Sequence, residues 1–315
     1  MSLIEKAVER LDQLKQAAGE APEDRLAAAH PVTAAATPTP AEEGQSSEVP
    51  RAEVLGRNPM RSREVRIDLM RLASMGMVTP DQPRSAIAEE FRVIKRPLLR
   101  NATATGPAAL PNSNVIMVTS SLPGEGKTFS AINLAMSMAM ELDFSVLLVD
   151  ADVSRPSVLK QLGLPREPGL MDVLAGEVSD LSEVLLRTNI EKLAILPAGM
   201  PHQRATELLA SESMKRLLEQ MARRYQDRII IFDSPPLLVT TEARVLAASM
   251  GQVVVVVEAE RTTHAAVRSA VATIELCPIK LLMLNKTRQR GAGAYYGYGY
   301  GYGYGHGEST PSEAA

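Results

Sequence analysis

Tryptophan is absent from the chain, and there is a single cysteine, Cys277. One thiol allows neither a disulfide framework nor a cysteine metal cluster within one chain, and a reducing cytoplasm is the natural compartment. No stretch reaches the ~20 apolar residues that a membrane helix needs. The N-terminus also lacks the basic start, apolar core and small-residue cleavage site of a signal peptide. The sequence therefore predicts a cytoplasmic chain that meets the inner membrane only peripherally, through a partner or a weak surface contact. Strong net charge is missing too. The formal value is −3, whereas a nucleic-acid-binding domain is usually strongly basic, so no nucleic-acid partner is expected. Aromatic residues are only 3% of the 315, and six of the seven tyrosines crowd into one short run.

What is present is an ordinary globular balance, 45% apolar and 23% charged, enough for one sizeable α/β domain with flanks. Residues 1–18 predict an amphipathic helix, with Leu3, Ile4, Ala7, Val8, Leu11 and Leu14 on one side and Ser2 with Glu5 as a capping box. Residues 19–50 are rich in Ala, Pro, Glu and Thr without apolar periodicity and read as a disordered linker. The segment 51–110 reads as basic and helical, a docking or oligomerisation region. Eleven Lys or Arg stand against six Asp or Glu between Arg51 and Arg100. A basic helix is expected within 52–75, and a second over Ser85–Arg96, ended by Pro97.

From Asn114 the pattern changes to β-branched apolar runs alternating with helical segments. The predicted strands are Val115–Thr119, Val146–Asp150, Leu193–Pro197, Ile229–Asp233, Val253–Glu258 and Ile279–Asn285. Their near-continuous hydrophobicity is that of parallel strands covered on both faces. Lys127–Glu141 and Arg204–Arg224 suit crossover helices. Residues 111–290 thus predict a doubly wound, mostly parallel α/β sheet, followed by a low-complexity Tyr/Gly tail over 291–315.

The segment Ser120-Ser121-Leu122-Pro123-Gly124-Glu125-Gly126-Lys127-Thr128 lies directly after a predicted strand and before a predicted helix. Such a loop points backbone N–H groups at phosphates, and the helix N-terminus adds a favourable dipole. The expected nucleotide-binding set is Ser121, Pro123, Gly124, Glu125, Gly126, Lys127, Thr128 and Phe129. Lys127 can reach the β- and γ-phosphates of ATP, and the Thr128 hydroxyl can bind Mg²⁺. Ser121 replaces the first glycine of the general pattern.

Two further strands end in carboxylates, at Asp150 and Asp152 and at Asp233. Strand C-termini line the ligand crevice of open α/β sheets, which would bring all three near Lys127. One carboxylate is needed for Mg²⁺ and another can accept a proton from an attacking hydroxyl. Capping of the following helix is the competing role for any one of them.

SSLPGEGKT, VDADVSRP and IIIFDSPP together resemble the Walker A, A′ and B set of the bacterial protein-tyrosine autokinases of exopolysaccharide and capsule systems. Gly169–Leu174 and Leu196–Gly199 match as well, and the resemblance covers roughly 85–304. It implies a P-loop NTPase fold of the SIMIBI, MinD-like kind and a protein-tyrosine kinase using ATP and Mg²⁺. Lys127, Asp150 and Asp152 would be the catalytic set, with Thr128, Asp152 and Asp233 at the metal and Asp152 activating the tyrosine hydroxyl. The family's arginine two residues after the second Asp is Ser154 here, with Arg155 next. Glu89, Arg92, Lys95 and Arg96 resemble the family's oligomerisation motif, with Lys95 in place of its last arginine. The resemblance further implies a homo-oligomeric ring, a separate membrane activator or polysaccharide co-polymerase, and a tyrosine phosphatase as partners. The two termini are similar to those of autokinases linked to exosortase-type loci. Asn285 and Lys286 fall where the nucleotide base is expected by analogy of fold.

Tyr295, Tyr296, Tyr298, Tyr300, Tyr302 and Tyr304 sit in a glycine-rich run. Glycine disfavours a packed core there and keeps hydroxyls presentable along an extended chain. From Gly291 to Tyr304 the chain could span up to ~45 Å, enough to reach a neighbouring copy. These six are the expected phosphoacceptors. A partitioning or cell-division positioning ATPase, acting as a nucleotide-dependent assembly switch, is the rival reading. Those relatives usually carry a second lysine where Leu122 stands, and have no reason to end in tyrosines. A binding module whose tail recruits a partner is the third.

Overall fold

The computed structural model describes residues 63–224 and 228–287. The expected N-terminal helix, the linker and the tyrosine run lie outside these residues. Eight strands form one sheet: β1 (Arg63–Val65), β2 (Val115–Ser120), β3 (Ser145–Asp150), β4 (Leu186–Thr188), β5 (Leu193–Leu196), β6 (Arg228–Asp233), β7 (Gln252–Glu258) and β8 (Ile279–Asn285). Their order is β1-β4-β5-β3-β6-β2-β7-β8, and every neighbouring pair is parallel except β4 with β5.

Successive residues of a strand point to opposite faces, and here both faces are covered. Ile116, Val118, Val146, Leu148, Ile229 and Ile231 enter one core with Phe91, Leu98, Ile132 and Met136. Those four belong to α2 (Ala86–Ala102) and α3 (Lys127–Ala139). Val115, Met117, Leu147, Val149, Ile230 and Phe232 enter the other core with Leu170, Met214 and Leu246. Their helices are α5 (Leu170–Leu174), α7 (Glu212–Arg224) and α8 (Thr241–Ala247). This two-sided burial is why the strands read as unbroken apolar runs.

Three local expectations change. Within 63–75 the chain forms β1 and a six-residue helix, α1 (Leu69–Ser74), in place of one basic helix, while 52–62 lie outside the described residues. Asp68 caps α1 by accepting the Arg71 N–H at 3.0 Å. Pro97 does not end α2, which continues to Ala102. The proline removes one backbone hydrogen bond, but Leu98 and Leu99 are buried. The buried Gln252 side chain also holds the Leu98 carbonyl at 3.1 Å and the Ser113 carbonyl at 2.6 Å. The crossover expected over 204–224 is two helices, α6 (Ala205–Leu209) and α7. Ser211 breaks it, its hydroxyl accepting the Met214 N–H at 3.2 Å as a cap.

Lys95 is buried within the chain. Its ammonium reaches the Ser137 carbonyl of α3 at 2.5 Å and the Glu141 carboxylate at 2.8 Å. Burial lowers its pKa, and Glu141 opposes that shift. Glu89 and Arg92 pair with each other one helical turn apart, and Arg92 also donates to the Pro83 carbonyl at 2.9 Å. Arg96 reaches Glu141 at 3.2 Å from a largely exposed position.

Candidate active site

The sheet order brings the chemistry together. β6 lies between β3 and β2, and in register Asp150 stands beside Asp233, which stands beside Val118. All three strands run the same way, so the loop after β2 emerges two residues beyond the paired carboxylates.

That loop is tightly held. Gly124 and Gly126 adopt φ of +88° and +96°, left-handed conformations that favour glycine. A Cβ on Gly126 would also overlap the Asn285 amide. Asn285 donates to the Glu125 carbonyl at 2.9 Å, and Lys286 to the Gly124 carbonyl at 2.6 Å. Glu125 is buried; its carboxylate accepts the Leu122 N–H at 2.8 Å and the Thr262 hydroxyl. The Glu125 side chain therefore shapes the loop, and only its backbone can face a phosphate. Pro123 and Gly124 are exposed at the tip, Ser121 is buried with no partner for its hydroxyl among the described residues, and Phe129 packs against the core.

Lys127 opens α3 with its ammonium 2.7 Å from Asp152 and 3.8 Å from Asp233. Burial works against the charge, but Asp233, Asp152 and Asp150 outweigh it and raise the pKa. The Thr128 hydroxyl is 2.8 Å from that of Ser157. Asp150 Oδ2 accepts the N–H groups of Ser157 and Val158, both at 3.0 Å. It thereby caps α4 (Val158–Leu162), while its Oδ1 is buried without a partner among the described residues. Burial pushes this carboxyl up to about 7; Asp233 adds to the shift and the Val158 N–H opposes it. Asp233 is fully buried beside Lys127 and Thr128, and neither oxygen has a hydrogen-bond partner at ordinary distance among the described residues. Burial raises it to about 6, against the pull of Lys127. Asp152 also accepts the Arg155 N–H at 3.2 Å.

Unpartnered buried carboxylate oxygens are costly, and these face the cation that Lys127 supplies. No group of three or more His, Cys, Asp or Glu is arranged to hold a metal among the described residues. Mg²⁺ is usually held by one or two carboxylates together with substrate phosphates. Asp233, Asp152 and the Thr128 hydroxyl are the groups that fit it.

A cavity of about 220 Å³ opens on Asp150, lined also by Lys160, Arg166 and the Pro197–Gly199 loop. Asp172 fixes this wall, its Oδ2 accepting the N–H groups of Gly169 at 2.6 Å and Met200 at 3.2 Å. Leu170 and Met171 donate to the carbonyls of Pro197 and Ala198 at 2.8 and 3.0 Å. The two short motifs at 169–174 and 196–199 are thus halves of one lock. Gly199 has φ +89°, and a Cβ there would overlap the Asp172 carboxylate. Gly199→Ala is expected to destabilise the chain by about 2 kcal/mol or more, read as a lowered unfolding midpoint.

The candidate residues Lys127, Thr128, Asp150, Asp152 and Asp233 meet in one place, and the oligomerisation set lies elsewhere, on α2. Sequence reasoning missed Ser157, Thr262 and the holding role of Asp172, and it did not anticipate that Asn285 and Lys286 brace the loop. The polar pair at the end of β8 was the available signal.

Residues 113–285 match the AAA domain family. The tyrosine-protein kinase YwqD of Bacillus subtilis is 30% identical over 207 residues, covering 65% of this chain and 83% of its own. The succinoglycan biosynthesis transport protein ExoP of Rhizobium meliloti is 35% identical over 225 residues, 70% of this chain and 27% of its own. The chain thus spans about a fifth to a quarter of the length of several relatives that it matches. Among solved structures, the kinase domain of the Escherichia coli tyrosine kinase ETK aligns with TM-score 0.61 and 29% identity. It covers 77% of this chain and 89% of that one.

Proposed function

The chain belongs to the family of bacterial tyrosine-protein kinases, built on a P-loop AAA-type domain, and from that membership we propose that it transfers the γ-phosphate of ATP to its own C-terminal tyrosines. The acceptors are Tyr295, Tyr296, Tyr298, Tyr300, Tyr302 and Tyr304, presented by one copy to the site of its neighbour. The observation that carries this reading is Lys127 among three strand-end carboxylates at the mouth of a glycine-bent loop.

The backbone of 121–128 receives the phosphates, and Lys127 turns from Asp152 toward the β- and γ-oxygens. Mg²⁺ held by Thr128, Asp233 and Asp152 would neutralise phosphate charge. The acceptor phenol enters the cavity beside Asp150. Its oxygen forms the new bond to phosphorus as the bond to the ADP oxygen breaks, and its proton passes to Asp150 Oδ1. Asp152 is the base that the family resemblance implies. Asp150 suits the task better, because a base works best with a pKa near the operating pH and its Oδ1 has no other partner.

Assembly into a ring would use the half-buried Glu89 and Arg92 and the exposed Arg96, with Lys95 fixing α2 against α3 from within. A membrane activator of polysaccharide export and a tyrosine phosphatase complete the scheme, placing the chain peripherally at the inner membrane. No helix of the described residues is long and apolar enough to cross a membrane.

A mixing experiment tests transfer between copies. One variant carries Lys127→Met, and the other has its six tail tyrosines changed to Phe. Incubated together with Mg-ATP, phosphotyrosine is expected on the Lys127→Met chain alone, read by mass. Label on neither chain rules out exchange between copies. ATP hydrolysis by the unaltered chain without any phosphotyrosine would indicate the assembly ATPase instead.

A further inference from the structure

Among the described residues β8 ends the sheet, paired with β7 on one side only. An open edge presents unpaired N–H and C=O groups and is usually protected by charge, proline or a covering segment. This one is poorly protected. It is seven residues long, without proline, and has one charged side chain, Lys280. Side chains alternate along it. Leu281 and Met283 pack against the core, whereas Leu282 and Leu284 are each 62% exposed. The exposed pair forms one wall of an apolar groove of about 420 Å³, completed by Val257, Val267, His264 and Arg268. The last three of these belong to α9 (His264–Ala272) or its start.

The chain continues directly from this strand. β8 stops at Asn285, and the tyrosine run starts ten residues later. That connection exceeds the 2–5 residues of common hairpin loops, so the run can return antiparallel along the strand it has just left. Its composition fits both faces of the edge. Tyr298, Tyr300, Tyr302 and Tyr304 alternate with glycine, so in an extended strand all four rings share one face. On the Leu282/Leu284 side they would fill the groove. The glycines on the other side carry nothing that could displace Leu281 and Met283.

We propose that the tyrosine run of the same chain, while unphosphorylated, docks on β8 as a ninth, antiparallel strand with its rings in the groove beside α9. The acceptors would then be stored away from the catalytic cleft. The docking rests on β8 and the tail alone, and stands or falls apart from the transfer chemistry.

Because the chain has no tryptophan and six of seven tyrosines lie in the tail, tyrosine emission reports on the tail. In the full chain without ATP, acrylamide quenching is expected to show shielded tyrosines. Leu282→Glu with Leu284→Glu should abolish that shielding. Changing Tyr298, Tyr300, Tyr302 and Tyr304 to Ser alters only the tail, and should make the β8 amides exchange with deuterium at least about tenfold faster. Equal quenching in wild type and the Glu variant, or unchanged exchange in the Ser variant, overturns the proposal. Shielding that does not vary with protein concentration supports docking within one chain. Shielding that grows with concentration assigns the groove to a second copy's tail and overturns it.

Discussion

Lys127→Met is expected to reduce phosphotyrosine formation on the order of 10²–10³-fold or more, the loss typical of removing one preorganised charge-stabilising group. The side chain has two tasks. Toward the nucleotide it is the lysine proposed above to meet the transferring phosphoryl group. Toward the protein it is the cation 2.7 Å from Asp152 and 3.8 Å from Asp233. Methionine fills the space but leaves three buried carboxylates facing one another. Uncompensated buried acids take up protons in preference to unfolding the protein, so the variant should fold at pH 6 and lose stability steeply toward pH 8. Lys127→Arg separates the two tasks. It restores charge to the carboxylates, but its rigid planar fork does not reproduce a compact ammonium. Recovered stability with transfer still lost is the expected result, measured by thermal unfolding beside a phosphotyrosine blot. A Lys127→Met chain within tenfold of the wild-type rate would place the chemistry elsewhere.

The parts legible in the sequence were those with a strong periodic or positional signal. Six strands could be found because parallel strands buried on both faces give runs such as Ile229–Asp233 and Val253–Glu258 that little else imitates. β1 and β4 were missed because three residues carry no period, and because β4 turns antiparallel to β5 in a way no local feature announces. Pro97 misled for a nameable reason: its local cost is outweighed by burial of Leu98 and Leu99 and by Gln252, 155 positions after Pro97 in the chain. Lys95 stands in the motif expected at an interface between copies, yet Glu141 and the Ser137 carbonyl hold it inside the chain, which its position on the helix does not announce. The carboxylates were predictable by position at strand ends. Their inequality was not, because it depends on Ser157 and Val158 turning their N–H groups onto one oxygen of Asp150 and leaving the other free.

That inequality supports the second large effect. Asp150→Asn should lower the transfer rate on the order of 10²–10⁴-fold, the usual worth of a general base. An asparagine carbonyl oxygen can still accept from Ser157 and Val158, so α4 stays capped. Asp150 holds its proton up to a pH of about 7, so wild-type rate should climb through that region as the base becomes free. The residual rate of Asp150→Asn should lack this limb. Asp152→Asn should retain it while weakening nucleotide binding through the Lys127 pair. Stability gives an independent readout with the opposite sign. Asp150 and Asp233 are raised above their unfolded values, so between about pH 4 and 7 the folded chain holds protons that the unfolded chain has released. Folding stability of the ligand-free chain should therefore fall as pH rises through that window, by up to ~1.4 kcal/mol per pH unit for each proton held. Asp150→Asn should flatten the slope. If Asp152→Asn removes the acid limb and Asp150→Asn keeps it, the base is Asp152, and the free oxygen of Asp150 serves the metal instead.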